Sequence, residues 1–123
     1  MTNKPRLIQI EKRKLIYDST DVNFYDTHSI NLQDGTLFQF NHSELSKLND
    51  EKGSFSEQDF QFMINACTSL RFYSLIPELA KYKNEEDLGV YLKKEEGHIV
   101  LIALGETQPG RYKIFIEGVF KTT

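Results

Sequence analysis

With one cysteine, Cys67, among its 123 residues, the chain can form no internal disulfide. A lone thiol fits a reducing compartment, and its place in the apolar stretch Phe60–Cys67 suits a small core side chain. Long apolar runs are also missing. The longest, Ile99–Leu104, falls well short of the ~20 residues needed to cross a bilayer. The opening residues Met-Thr-Asn-Lys-Pro-Arg are too polar for a signal-peptide core. These absences predict a cytoplasmic protein without a membrane partner.

The seven glycines are scattered, and none is followed by Lys-Ser or Lys-Thr, so no phosphate cradle can be assembled. No serine sits in a Gly-x-Ser-x-Gly elbow. The three prolines (Pro5, Pro77, Pro109) punctuate the chain without forming a linker, and there is no repeat or low-complexity tract. A single domain over residues 1–123 is expected.

Metal-ligand chemistry is present in type but not in pattern. Asp26, His28, Asp34, His42 and Glu44 share one stretch, yet no HExxH or paired His/Cys spacing fixes two ligands on one element. Glu85-Glu86-Asp87 and Glu95-Glu96 read as solvated helix ends rather than as a catalytic pair, since general acid–base work needs one buried carboxyl. Cys67 lies on an apolar helix face, away from the polar setting a thiolate requires. The expectation is therefore a protein with no catalytic residues, no cofactor and no bound metal. The roles of His28, His42 and His98 stay open.

Nine Phe and six Tyr, with no Trp, supply the core. His98–Leu104 is continuously apolar and β-branched, as in a strand buried on both faces. Residues 105–110 read as a turn, and Arg111–Glu117 alternates, completing a hairpin. Leu7–Tyr17 reads as a strand pair or one long bent strand. Thr27–Leu32 and Thr36–Phe40 flank Gln33-Asp34-Gly35, a second hairpin signal.

Helices are predicted between these strands. One runs from about Glu57, capped by Ser54 or Ser56, with Phe60, Ile64, Cys67 and Leu70 on one face and Phe62, Ala66 and Tyr73 widening it. Pro77 opens a second through Tyr82, residues 84–92 form a third weakened by Gly89, and Ser43–Leu48 makes a short turn. The predicted fold is α+β: a mainly antiparallel sheet from the N-terminal strands and the C-terminal hairpin, with two to three helices packed on one face.

Charge is unevenly distributed. Residues 1–14 hold five cations and one acid, whereas residues 15–51 hold seven acids and one lysine. The basic run Lys12-Arg13-Lys14 fits a protected sheet edge. A pI near 5.6 disfavours nucleic acid as the partner. The acidic stretch, interleaved with aromatics, is the candidate surface for a basic protein partner: Asp18, Asp21, Phe24, Tyr25, Asp26, Asp34 and Glu44. The functional expectation is a small cytoplasmic protein-binding domain of the inhibitor or immunity type, neutralising a basic toxin or nuclease-like partner. The rivals are a small ligand-binding protein or enzyme with a pocket between sheet and helices, and a structural or assembly subunit joined through a sheet edge.

Overall fold

The structure, a computed structural model, describes residues 6–20, 26–67, 88–108 and 110–122. Its strands are β1 (Leu7–Glu11), β2 (Lys14–Ser19), β3 (His28–Asn31), β4 (Leu37–Phe40), β5 (Ser46–Lys47), β6 (Gly89–Glu95), β7 (His98–Gln108) and β8 (Arg111–Thr122). Helix α1 spans Glu57–Ala66, preceded by two 3-10 turns, His42–Glu44 and Leu48–Ser54.

The main sheet has the order β1-β8-β7-β6-β5, with β2 also paired to β8, and every pairing is antiparallel. β3 and β4 form a separate two-stranded sheet. On β7, Ile99, Leu101 and Ala103 face one core cluster, with Phe60, Met63 and Ile64 of α1. Val100, Ile102 and Leu104 face another, with Ile30, Phe38 and Phe40 of the small hairpin. The chain therefore stacks hairpin, sheet and helix, and the continuous apolar run of β7 is what a middle layer requires.

This corrects the expected α+β fold. Among the described residues the protein is mostly antiparallel strand, with α1 as the one α-helix. Residues 89–92, expected in a helix, lie in β6, because Val90 and Leu92 alternate with Gly89 and Tyr91 and so serve a strand with both faces covered. The helix expected from Pro77 to Tyr82, and residues 84–87 of the third, lie outside the described residues. Phe62, expected to widen the buried face of α1, is exposed and meets Phe120 edge-on at 5.6 Å.

Other expectations coincide with the structure. Ser56 caps α1, its hydroxyl accepting from the Asp59 N–H at 3.0 Å. The Asp-Gly hairpin is β3–β4: Leu32 N–H donates to the Thr36 carbonyl at 2.8 Å, Gly35 N–H to the Leu32 carbonyl at 2.9 Å, and Gly35 takes φ +90. The C-terminal hairpin is longer than expected, because β7 continues through Gly105 to Gln108.

The N-terminal strand is broken at Lys12-Arg13, opposite a bulge in β8. There Leu101 pairs with Gly118 while Ile102 pairs with Ile116, leaving Glu117 as the extra residue. The bulge changes the alternation, so that Val119 joins Ile114 and Ile116 against the hairpin.

Candidate functional site

The tight turn between β6 and β7 sets Glu95, Glu96 and His98 between two surface clefts. Glu95 pairs with His98, leaving Glu96 and Gly97 as the two turn residues, with φ +47 and +84. Two left-handed residues are what a two-residue hairpin demands. Glycine meets that demand without steric cost, whereas Glu96 holds its Cβ in a strained position.

Clefts open on either side of this turn, both bounded by Glu95, Glu96 and His98. A cleft of about 290 Å³ lies on the helix side, between Phe55, Lys94, Ile99 and Thr122. A groove of about 150 Å³ lies on the hairpin side, along Thr36–Gln39. Both fall below the roughly 300–1,000 Å³ usual for small-molecule sites.

Between them the imidazole of His98 meets Asp34, Nε2 to Oδ2 at 2.8 Å. The Asp34 carboxyl also accepts from the Thr36 N–H at 3.0 Å and lies 3.7 Å from Lys121 Nζ. The His98 and Thr36 hydrogen bonds hold its pKa well below the ordinary 3.8, because both favour the charged form. Glu51, bonded by Ser54 and Lys94, is lowered for the same reason. Glu44 closes a capping box on Asn41 and stands 3.5 Å from Lys93 Nζ, which is 3.9 Å from Glu95.

No family model, curated protein or solved structure matches this chain. Its surface must be read from its own residues.

Of the residues expected to bind a partner, Asp34 reaches the start of β7 through His98, and Glu44 reaches β6 through Lys93. Asp18 does neither: it pairs with Arg111 at 2.8 Å, at the opposite end of β8 from Lys121. The ten residue steps from Arg111 to Lys121 span roughly 33 Å of extended chain. Asp26 is exposed just ahead of β3, away from the Asp34 turn. Asp21, Phe24 and Tyr25 lie outside the described residues. Much of the acidity of residues 15–51 is met by cations of β6 and β8: Lys93, Lys94, Arg111 and Lys121.

Glu95 and Glu96 were expected at a helix end; they sit instead at a hairpin tip. The signal was the Glu96-Gly97 pair between two apolar stretches, weaker than Asp-Gly because glutamate seldom takes a left-handed backbone.

A second polar group lies inside the fold. Arg13 Nε and Glu117 Oε2 are 2.9 Å apart, with Glu117 fully buried, and the guanidinium stacks 3.8 Å above the Phe115 ring. Arg13 therefore anchors the interior instead of guarding the sheet edge. Cys67 donates to the Met63 carbonyl at 3.2 Å. Burial, and then the Glu117 charge, push its thiol up to about 12. At neutral pH it is protonated and a poor nucleophile. His28 lies between the rings of Tyr17 and Phe40, and His42 lies against Tyr91. Among the described residues, no three His, Cys, Asp or Glu side chains are placed to hold a metal ion, and no helix is long and apolar enough to cross a membrane.

Proposed function

We propose that the protein is a small cytoplasmic protein-binding domain of the inhibitor or immunity type, engaging a basic partner through the β6–β7 turn and its flanking clefts. The observation that carries this reading is Glu96. A carboxylate stands at the hairpin tip on a backbone where glycine or asparagine would cost less, and strain of this kind concentrates at functional positions. Glu95, with about half its side chain exposed, adds a second charge beside it. Asp34, 3.7 Å from Lys121, and Glu44, 3.5 Å from Lys93, are already met by cations, so the charge offered to a partner rests on Glu96 with Glu95 beside it. Such a surface speeds encounter with a cationic partner and penalises an acidic one.

The proposed surface is thus centred on Glu95 and Glu96, outside the acidic residues 15–51 expected to carry it. A pocket for a small ligand draws less support, given the size of the clefts and the closely packed apolar clusters on both faces of the sheet.

The test is calorimetric titration with basic proteins encoded beside this gene. Glu95→Lys/Glu96→Lys should abolish heat of binding while Asp18→Lys leaves it intact. Equal binding by wild type and the double variant would refute the assignment.

A further inference from the structure

We infer that the outer edge of β4 takes up an extended segment of the basic partner as an added strand, alongside the β6–β7 turn. The inference rests on the binding role proposed above and supplies its main-chain component.

The register of the hairpin determines which groups face outward. Leu32 N–H bonds the Thr36 carbonyl, and the ladder continues through Ile30–Phe38 and His28–Phe40. In an antiparallel pair the bonded positions alternate, so Leu37 and Gln39 direct their N–H and C=O groups away from β3. Lys93 corroborates this direction: its Nζ donates to the Gln39 carbonyl at 2.8 Å from the β6 side. Among the described residues, no hydrogen bond reaches the Leu37 main chain or the Gln39 N–H from that side.

An edge of this kind is a template for strand pairing, and proteins ordinarily blunt it with charge, proline or a cover. β4 reads Leu-Phe-Gln-Phe and carries neither charge nor proline. Leu37, at 55% exposure, is the most exposed large apolar residue described. The partner's charge follows from Glu95 and Glu96, which border the groove beside β4. The Gln39 carbonyl is already taken by Lys93, so an added strand pairs with the Leu37 main chain and the Gln39 N–H. Main-chain pairing with β4 combined with cationic side chains toward Glu95 and Glu96 is strand addition with a charge filter.

The probe is a fluorescein-labelled peptide of alternating lysine and valine, about eight residues long, near the length of an ordinary strand. Anisotropy should show binding to the full chain, with the Leu37 and Gln39 amides gaining protection from hydrogen exchange. Leu37→Pro removes an outward N–H and no ladder bond, and should weaken binding about tenfold, as loss of main-chain bonds implies. The same peptide methylated on alternate amide nitrogens should lose binding to the unaltered protein, a readout independent of how Leu37→Pro folds.

Binding that survives both changes but is lost in Glu95→Lys/Glu96→Lys would overturn strand addition and leave the acidic turn standing. Binding lost with Leu37→Pro but unaffected by charge reversal would uphold the edge and refute the acidic turn. No binding, or a dimer of the protein alone that Leu37→Pro dissolves, would overturn the proposal.

Discussion

His98 Nε2 and Asp34 Oδ2 lie 2.8 Å apart, and this contact ties the first residue of β7 to the turn of the β3–β4 hairpin, 64 positions away in sequence. The hairpin is a separate two-stranded sheet, and such pairs are marginal on their own. Burial of Phe38 and Phe40 against the main sheet supplies the packing. The His98–Asp34 bond fixes the hairpin turn beside Glu95 and Glu96.

Asp34→Asn should lower stability at neutral pH and flatten its acid limb. A carboxyl held below its ordinary 3.8 in the folded state contributes stability above that pH and loses it as pH falls further. Melting temperature followed from pH 7 downward should show the gap between wild type and variant narrowing below about pH 4. A constant gap would show that Asp34 acts through packing alone.

Arg13→Ala should destabilise the fold by about 2–4 kcal/mol, less than for a fully buried pair because Arg13 is partly exposed. It removes the nearest cation from the buried Glu117 carboxylate and uncovers the Phe115 ring. Urea denaturation with an unchanged slope reads this loss directly. A change below about 0.5 kcal/mol, typical of an exposed ion pair, would contradict the buried role.

Cys67 should resist thiol reagents in the folded protein. Raising its pKa from the ordinary 9.0 to about 12 leaves about a thousandfold less thiolate at pH 8, before steric protection is counted. Labelling with a chromogenic disulfide should be slow in buffer and fast in urea. Rapid labelling under native conditions would show that the Cys67 site opens.

Glu96→Asn should raise stability by about 0.5–1 kcal/mol, since asparagine tolerates the left-handed backbone better. The same change should weaken partner binding, separating the structural optimum from the functional residue. A variant less stable than wild type would show that Glu96 is not strained.

Much of the sheet was legible from local pattern. β7 declares itself by an unbroken apolar run, β8 by alternation, and β3–β4 by Asp34-Gly35. β6 was obscured because Leu88-Gly89-Val90 follows a helix-favouring acidic stretch, and Lys93-Lys94-Glu95-Glu96 resembles a solvated helix end. Its strand character comes from pairing with β7, a tertiary constraint that propensity cannot register. The centre of the candidate site was hidden for a related reason, since Glu95-Glu96 reads as a solvated helix end. Composition located the acids, but only the fold shows that Asp18 meets Arg111 while Asp34 meets His98. The bulge at Glu117, which brings Arg13 inward, leaves no mark in a single sequence.

The most direct test of the turn as binding surface is an amide-resolved NMR titration of the full chain with its basic partner. The account predicts shifts concentrated at Glu95–His98 and Thr36–Gln39, with the amides near Asp18 and Arg111 unmoved. Shifts confined to the Asp18–Arg111 end of β8, with the β6–β7 turn silent, would contradict it.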